Sequence, residues 1–443
     1  MVADPDRLAT YARDETEALV FPPDLAVLPA TVDQVEAVLR IAHEARLPVV
    51  PRAAGTGLSG GALPVCGGVV LSVERLDRLR EIDERNLVAV AEAGVVTGDL
   101  QRAVEARGLF YPPDPSSRDT CRLGGNLAED AAGPRSLKYG TTRRWVLGVE
   151  AVLADGRRLE TGGKSRKDAT GYALAQLLVG SEGTLAVVTA ATLRLIARPA
   201  ATLTLILPFE RLEDAAAAVE RVLAAGFDVA ACELLEEAAL AAVARVEPLP
   251  AALVGRAAML LLELDGDDRE RLIGAAAGIE SLARSLGSGE ALVADDPAGE
   301  RRLWQVRRRV GEAVKSMSAY KEADTVVPRA ALAELVHAAR RAAARQGITA
   351  ICYGHAGDGN LHVNLLRGEL DAAEWERRRD AAEEELFRAV LALGGRITAE
   401  HGVGWVQRRY LPLALSEPAL ELTAAIKRAF DPRGILNPGK VLP

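Results

Sequence analysis

One glycine-rich stretch limits most strongly what the first part of this chain can fold into: residues 52–64, with the sequence RAAGTGLSGGALP. Gly55, Gly57 and Gly60 match the pattern G-x-G-x-x-G, which marks a dinucleotide-binding loop only when a helix follows at once. Here more glycines and a proline follow, and the next β-patterned run starts near Val69, so no helix fits. We therefore predict a glycine loop between two strands, whose unhindered N–H groups suit a diphosphate. A wide surface turn is the alternative.

Two further stretches of the first part are polar and rich in glycine. Residues 111–142 show no regular apolar period, so irregular backbone is expected there, and loops of this length are usually functional or disordered. Residues 177–189, LLVGSEGTLAVVT, place a third glycine-bearing turn before an apolar strand. Three such loops in one domain indicate a long ligand with two ends, such as a dinucleotide.

The chain changes character near residue 197. Before this point short strands and helices alternate, which is typical of an α+β domain. After it, the order strand–helix–strand–helix predicts a smaller α/β domain. The C-terminal residues then return to a helix, PALELTAAIKRAFDP, and an irregular tail.

Charge and composition exclude several classes of protein. The net charge of -8 argues against a nucleic-acid-binding surface, which needs clustered positive charge. No run of about 18 apolar residues predicts a transmembrane helix, and the acidic N-terminus lacks the pattern of a signal peptide. Four widely spaced cysteines without a C-x-x-C pair indicate buried free thiols in a reducing compartment. We therefore expect a cytoplasmic protein without a transmembrane segment.

Two of the five histidines flank a single polar turn. His355 and His362 stand on either side of AGDGN, residues 356–360, which breaks any helix. The sequence LHVNLL that follows alternates like a strand, with His362 and Asn364 on the same side. A carboxylate from AEHG, residues 399–402, would complete a metal site of two histidines and one carboxylate with positions open for a substrate. Histidines with a purely structural role are the alternative.

Several long motifs carry a family resemblance: VVPRAAGTGLSGGA, GGNLAEDAAGPRSLKYGTTRRWVLGVEAVLADG, TGGKSRKDATGYALAQLLVGSEGTLAVVT and FDPRGILNPGKVL. The chain resembles the FAD-binding oxidoreductases of the vanillyl-alcohol-oxidase type, most closely the glycolate oxidase flavoprotein subunit and the D-lactate and D-2-hydroxyglutarate dehydrogenases. The resemblance implies an α+β fold with a two-lobed FAD-binding domain of the p-cresol-methylhydroxylase (PCMH) type. It further implies an α/β substrate domain with a ferredoxin-like sheet and a C-terminal helical segment that returns to the FAD. We expect these three parts at residues 1–197, 198–400 and 401–443.

The resemblance also assigns the cofactor-binding residues. It implies one FAD, and the FAD is expected to be non-covalent because no histidine lies in the three loops. The residues expected to line the FAD are Arg52, Gly55, Thr56, Gly57, Leu58, Ser59, Gly60, Gly61, Pro113, Asp114, Ser116, Gly124, Gly125, Asn126, Tyr139, Gly140, Glu182, Gly183, Val188, Asn437 and Lys440.

The same resemblance gives roles to the polar turn and to AEHG. It implies a divalent metal, zinc or manganese, bound by His355, His362 and Glu400. The catalytic residues that it implies are the base His401, the substrate-carboxylate clamp Arg307 and the substrate contacts Lys321 and Asn364. An imidazole whose pKa lies near neutrality suits a base, and a guanidinium suits a carboxylate. The residues alone do not choose among the three arginines of LWQVRRRVGEAV, residues 303–314.

The expected function is oxidation of a small D-2-hydroxy acid, glycolate or D-lactate, to the 2-oxo acid by a metal-assisted dehydrogenase that passes a hydride to flavin N5. D-2-hydroxyglutarate is the alternative substrate, and a non-catalytic FAD-binding subunit of a larger complex is the alternative of another class. The cysteines form no iron–sulfur motif, so electrons must leave to a separate acceptor: a quinone, a flavoprotein or an iron–sulfur subunit. A homodimer or a hetero-oligomer is expected, with attachment to the inner membrane only through a partner.

Overall fold

The computed structural model describes all 443 residues and divides them into two compact units. Unit 1 consists of Met1–Gly133, Gly140–Arg198 and Glu400–Pro443. Unit 2 consists of Pro134–Tyr139 and Pro199–Ala399. Both units combine helices and sheets, as the sequence predicts for an α+β fold.

Strands and helices alternate along most of the chain. The strands are β1 (Leu25–Val27), β2 (Val49–Arg52), β3 (Val69–Ser72), β4 (Leu79–Asp83), β5 (Val88–Glu92), β6 (Leu109–Phe110), β7 (Val146–Leu153), β8 (Arg158–Gly162), β9 (Ala186–Arg194), β10 (Ile196–Ala197), β11 (Ala201–Phe209), β12 (Val229–Glu236), β13 (Ala258–Gly266), β14 (Leu292–Ala294), β15 (Tyr320–Val326), β16 (Thr349–Gly354) and β17 (Asn360–Leu366). The helices are α1 (Pro5–Leu8), α2 (Val32–Ala45), α3 (Thr97–Glu105), α4 (Leu123–Glu129), α5 (Ser136–Tyr139), α6 (Leu174–Leu178), α7 (Leu212–Ala224), α8 (Glu237–Val243), α9 (Arg269–Ser285), α10 (Pro297–Arg308), α11 (Val310–Met317), α12 (Leu332–Arg345), α13 (Ala372–Ala392), α14 (Leu411–Ala414) and α15 (Glu417–Phe430).

Unit 1 contains two main sheets. A parallel sheet has the order β1-β3-β2, and an antiparallel sheet has the order β4-β5-β9-β7-β8. The C-terminal tail extends the parallel sheet, because the Val49 N–H donates to the Ile435 carbonyl (2.8 Å) and the Asn437 N–H donates to the Val49 carbonyl (2.7 Å). The glycine loop lies between β2 and β3 with no intervening helix, which confirms the prediction that it is not a Rossmann loop.

Helix α2 supports the strand that leads into the glycine loop. Thr31 caps its first turn, since the hydroxyl accepts the Gln34 N–H at 3.4 Å. Val35, Leu39 and Ala42 recur on one face and are buried in a cluster that includes residues of β2 and β3. Their spacing is that of an amphipathic helix.

Unit 2 is built on one antiparallel sheet with the order β14-β11-β13-β12-β16-β17-β15. The chain order β11-α7-β12-β13-α9-β14, with α8 inserted before β13, is that of a ferredoxin-like module. This confirms the ferredoxin-like sheet predicted for the second domain. Strands β15, β16 and β17 extend the sheet beyond the module. Every residue of β12 is buried, although the strand carries two glutamates.

Residues 111–142 contain more regular structure than predicted. Helix α4 forms there in spite of two glycines, because Gly124 packs closely against β5 and its continuation. A Cβ atom at Gly124 would lie 3.0 Å from the Cβ and carbonyl oxygen of Ala93. Asp130, with a φ of 57°, ends the helix in the left-handed conformation. The prediction of irregular backbone was wrong here because glycine serves close packing rather than breaking the helix.

A short segment of the predicted FAD-binding region, Pro134–Tyr139, belongs to unit 2. Arg135 Nε is 2.7 Å from Glu263 Oε1, and Lys138 Nζ is 2.7 Å from Asp265 Oδ1. The Tyr139 hydroxyl donates to Asp265 Oδ2, also at 2.7 Å. Side chains of β13 therefore hold this segment through charged hydrogen bonds.

Two predictions from composition have different outcomes. None of the helices combines the length and the apolar character that crossing a membrane requires, as predicted. All four cysteines are free, and Cys121, Cys232 and Cys352 are buried as predicted. Cys66 is exposed, so the prediction of a buried thiol was wrong at this position.

Candidate active site

The turn between β16 and β17 brings the two neighbouring histidines together. His355 follows β16, the 3-10 turn Ala356–Asp358 reverses the chain, and His362 lies on β17 opposite Tyr353. The His355 carbonyl accepts the N–H groups of Asp358 (3.0 Å) and Asn360 (3.1 Å). The two imidazole rings are buried, with their centroids 5.3 Å apart.

His355 is oriented by a buried carboxylate on a neighbouring strand. Its Nδ1 atom lies 2.8 Å from Oε1 of Glu233, a residue of β12 that is 0% exposed. A carboxylate accepts a hydrogen bond, so the imidazole carries its proton on Nδ1. The lone pair of Nε2 is then available to a metal ion. This partnership is typical of metal-binding histidines.

Glu233 also holds an arginine. Its Oε2 atom accepts from Arg307 Nε at 2.6 Å, and the Arg307 guanidinium lies over the Tyr353 ring, 5.2 Å from the centroid. Burial alone would raise the pKa of Glu233, but the charge of Arg307 and the hydrogen bonds from His355 and Arg307 lower it below its usual value. The carboxylate is therefore charged when its two partners are in place.

The structure distinguishes among the three consecutive arginines, which the sequence alone cannot do. Arg307 is buried in the last turn of α10. Arg308 is exposed, and Arg309 Nη1 pairs with Glu312 at 2.5 Å. Arg307 is therefore the arginine of the three that joins the histidine cluster through Glu233.

Asn364 and the carboxylates of β15 complete the polar group in unit 2. Both amide atoms of Asn364 are buried without a hydrogen-bond partner of normal geometry. His362 Nδ1 lies 3.6 Å from Glu322 Oε1 and 3.8 Å from Asp324 Oδ1. An unpaired buried amide costs free energy, so Asn364 indicates a polar ligand that binds at this place.

Lys321, the second predicted substrate contact, lies on β15 with its ammonium group engaged by protein. Its Nζ donates to the Glu322 carbonyl at 2.7 Å and lies 3.8 Å from Glu383 Oε1. Lys321 is paired with Leu365, so its side chain lies on the opposite face of the sheet from His362 and Asn364. The structure therefore brings His355, His362, Asn364 and Arg307 together but does not place Lys321 among them.

Glu400 and His401, the predicted metal ligand and base, belong to unit 1. His401 Nε2 lies 3.8 Å from Glu400 Oε1. The residues that follow are fixed by Glu182, whose carboxylate accepts the N–H groups of Val403 (2.8 Å) and Gly404 (2.7 Å). The AEHG segment is thus tied to the third glycine-bearing turn.

The glycine loop presents buried polar groups that lack partners. Arg52, at the end of β2, is buried, and its Nη1 atom makes no hydrogen bond; the buried Ser59 hydroxyl also has no partner. Gly55, with a φ of 75°, lies against the Arg52 guanidinium, and a Cβ atom there would overlap it. A guanidinium nitrogen and a hydroxyl that lack partners beside a glycine loop fit the diphosphate of FAD.

The C-terminal tail joins the glycine loop to the Glu182 turn. The Asn437 side-chain amide donates to the carbonyls of Gly61 (2.9 Å) and Glu182 (2.7 Å), and Lys440 Nζ donates to the Leu63 carbonyl. Burial lowers the pKa of Lys440 to about 8. Asn437 and Lys440, both predicted cofactor residues, therefore hydrogen-bond to other segments of unit 1.

The remaining predicted FAD residues are spread over several loops and elements. Thr56, Gly57, Leu58 and Gly60 lie in the glycine loop, and Gly183 and Val188 lie in the Glu182 turn and on β9. Unit 1 also holds Pro113, Asp114 and Ser116 in the loop after β6, Gly124, Gly125 and Asn126 in α4, and Gly140 after α5. Tyr139 lies in unit 2.

Sequence reasoning missed two glutamates: Glu233, which is fully buried, and Glu129, which is half-buried. Glu233 lies in no recognisable motif, because the residues that it contacts are distant in the sequence. Glu129, at the end of α4, is the other: burial and the negative charges of Glu182 and Asp14 raise its pKa well above the usual value. The short sequence NLAED contains the residue, but nothing in it distinguishes Glu129 from an exposed glutamate.

Two family models match the chain: an FAD binding domain over residues 23–162 and the C-terminal domain of FAD linked oxidases over residues 198–441. The chain belongs to the FAD-linked oxidase family. The first match covers the glycine loop and residues 111–142, and the second covers the histidine turn, whereas the Glu182 turn lies between the two matched ranges. Together the matches confirm the predicted family resemblance and FAD as the cofactor.

Over nearly its whole length this FAD-linked oxidase is similar to proteins named for hydroxy acids. It is 39% identical to the glycolate oxidase subunit GlcD of Bacillus subtilis (97% of this chain and 91% of the relative). It is 39% identical to a D-lactate dehydrogenase of Archaeoglobus fulgidus (98% and 95%). It is 33% identical to a D-2-hydroxyglutarate dehydrogenase of Stutzerimonas stutzeri (100% and 96%). The FAD-linked oxidase is therefore an oxidoreductase of this hydroxy-acid type.

Solved structures confirm the predicted fold. The structure of p-cresol methylhydroxylase with substrate bound matches the FAD-linked oxidase with a TM-score of 0.83 at 19% identity, covering 99% of this chain and 93% of that one. 4-Ethylphenol oxidase from Gulosibacter chungangensis matches with a TM-score of 0.79 at 21% identity, with the same coverage. At this identity the likeness concerns the fold alone, which is of the PCMH type.

The histidine turn should depend on Gly359. Its φ is 77°, and a Cβ atom there would overlap the Val327 carbonyl, whereas Gly255 has a φ of 73° and nothing nearby. Gly255→Ala should therefore cost only the left-handed conformation, about 1–2 kcal/mol. Gly359→Ala should cost about 1–3 kcal/mol more, because it also adds the overlap. Thermal unfolding of both FAD-loaded variants measures the difference, and equal midpoints would contradict the close approach.

Proposed function

We propose that this FAD-linked oxidase oxidises a small D-2-hydroxy acid, glycolate or D-lactate, to the 2-oxo acid. The proposal is carried by the buried group of unit 2, where a histidine pair, an arginine and an unpaired asparagine amide lie on adjacent elements. D-2-hydroxyglutarate is the second candidate, favoured by the Stutzerimonas stutzeri relative.

This proposal assigns residues of unit 2 to the carboxylate of the hydroxy acid and to its other polar atoms. Arg307 binds the substrate carboxylate with the terminal nitrogens of its guanidinium, since Nε is used by Glu233. The Asn364 amide, which can donate and accept, contacts the same substrate. Buried polar groups give orientation because they are unsatisfied without the substrate.

The proposed metal site uses His355, His362 and Glu400. Two imidazoles and a carboxylate are the donor set that suits a divalent ion such as zinc or manganese with positions open. The Nε2 lone pair left by the Glu233 hydrogen bond supports His355 as a ligand. FAD, when bound, would supply the hydride acceptor, and a divalent metal held by His355, His362 and Glu400 would make the substrate hydroxyl more acidic.

His401 is the proposed base. A neutral imidazole takes the hydroxyl proton, and the neighbouring Glu400 carboxylate stabilises the imidazolium that results. The hydrogen bonds from Val403 and Gly404 to Glu182 hold this segment in place. Removing the proton while the hydride leaves avoids a positively charged carbonyl product.

Non-covalent FAD, the electron acceptor and the assembly are further parts of the proposal. We propose a separate acceptor, a quinone, a flavoprotein or an iron–sulfur subunit, and a homodimer or hetero-oligomer. The Bacillus subtilis relative is named as a subunit, which supports an assembly with partners. A cytoplasmic location, or attachment to the inner membrane through a partner, is consistent with such an assembly.

Anaerobic reduction of the bound flavin tests the proposal. Glycolate or D-lactate should bleach the flavin absorbance of the purified holoprotein, and L-lactate, the mirror-image control, should bleach it much more slowly. Preferential bleaching by D-2-hydroxyglutarate would support the second candidate. A flavin that dithionite reduces but none of these acids reduces would contradict the proposed reaction.

His401→Ala should lower the turnover number by at least about 10²-fold, because the hydroxyl proton loses its acceptor. FAD content should not change. The matched control is His337→Ala, which removes a partly exposed imidazole paired with Glu213 at 3.0 Å. Stopped-flow flavin reduction measures both variants, and reduction by His401→Ala at the wild-type rate would exclude His401 as the base.

A further inference from the structure

The Glu233 carboxylate hydrogen-bonds to both a proposed metal ligand and the proposed substrate clamp. Each carboxylate oxygen has its own partner: Oε1 faces His355 Nδ1 at 2.8 Å, and Oε2 faces Arg307 Nε at 2.6 Å. The carboxylate is fully buried, so these partners replace its hydration. A change at Glu233 therefore acts on two functional groups at once.

We propose that Glu233 is a positioning residue that couples metal binding to recognition of the substrate carboxylate. It keeps the His355 proton on Nδ1, which leaves Nε2 for the metal, and it fixes the Arg307 fork through Nε. The inference rests on the proposed function, because the roles of His355 and Arg307 come from there. Glu233 itself touches neither substrate nor metal.

A glutamine cannot replace Glu233, since both of its partners donate. The amide has one accepting oxygen and one donating nitrogen. If the nitrogen faces His355, the imidazole must accept at Nδ1 and carry its proton on Nε2, which blocks the metal. If the nitrogen faces Arg307, Nε loses its acceptor and the guanidinium loses its fixed orientation. Either arrangement therefore impairs metal binding by His355 or substrate binding by Arg307.

Glu236 provides a matched control on the same strand. It is also fully buried, but it lies three residues away and so on the opposite face of β12. Its carboxylate accepts the N–H groups of Cys352 (3.0 Å) and Ala238 (3.2 Å) and pairs with Arg340. Glu236→Gln therefore disturbs a buried carboxylate of the same type without touching His355 or Arg307.

The experiment compares wild type, Glu233→Gln and Glu236→Gln as FAD-loaded full-length proteins. The dissociation constant of Zn²⁺ is measured without substrate, by competition with a chelator, and KM and kcat are measured with the best hydroxy acid at saturating Zn²⁺. Glu233→Gln should bind Zn²⁺ about 10–100-fold more weakly and raise KM, whereas Glu236→Gln should lower only thermal stability. Arg307→Lys should raise KM with Zn²⁺ affinity unchanged, because the bond between Glu233 and His355 persists.

Unchanged Zn²⁺ affinity in Glu233→Gln, or an equal loss in Glu236→Gln, would overturn the inference. Should Glu233→Gln fail to retain FAD, Glu233→Asp is judged by the same criteria, because it keeps the charge on a shorter side chain. A wild-type protein that binds Zn²⁺ but whose flavin no hydroxy acid reduces would overturn the proposed function instead. The Zn²⁺ titration contains no substrate, so the two failures are distinguishable.

Discussion

A charged carboxylate in a protein interior is stable only when its partners are in place, and the polar group of unit 2 depends on this constraint at Glu233. Without a donor at each oxygen, no hydrogen bond would compensate the carboxylate for the hydration that it loses on burial. Two other elements supply the donors, because β16 pairs with β12 and is followed by His355, and Arg307 lies in the last turn of α10. The Glu233 carboxylate thus fixes the tautomer of His355 and the orientation of Arg307 together. The same polar group contains Asn364, whose buried amide has no partner of normal geometry.

In unit 1 the loops are held in place by hydrogen bonds of the C-terminal tail rather than by a buried carboxylate. The tail pairs with β2 through its backbone, and the Asn437 side chain then ties the glycine loop to the Glu182 turn. Glu182 in turn holds the backbone that follows His401. A chain of hydrogen bonds therefore links residues that line the predicted FAD site to the proposed base, so that these segments are positioned by one network.

Much of this organisation could be predicted from local sequence. The alternation in LHVNLL gave the strand β17 with His362 and Asn364 on one side, and the spacing in residues 32–45 gave α2. Glycines were harder to interpret, because Gly124 in α4 serves close packing while Gly359 serves a left-handed turn. The two look alike in a sequence, since the distinction depends on neighbours that the chain brings from elsewhere.

The partners of Glu233 could not be predicted at all. His355 lies 122 residues away in the sequence and Arg307 lies 74 residues away, and no period or motif links such positions. The choice among three adjacent arginines has the same origin, because only the folded structure shows that Arg307 is the buried one. Family resemblance assigned the roles of single residues, whereas their coupling required the contacts.

The central claim is that Glu233 presents Nε2 of His355, beside His362, to a divalent cation. Anomalous diffraction at the zinc edge, from crystals of the zinc-loaded holoprotein, tests it most directly. The account predicts one strong peak at about 2.0–2.1 Å from His355 Nε2 and from a ring nitrogen of His362, with the bond between Nδ1 and Glu233 intact. A zinc ion bound elsewhere, or bound through His355 Nδ1 with Glu233 displaced, would contradict it.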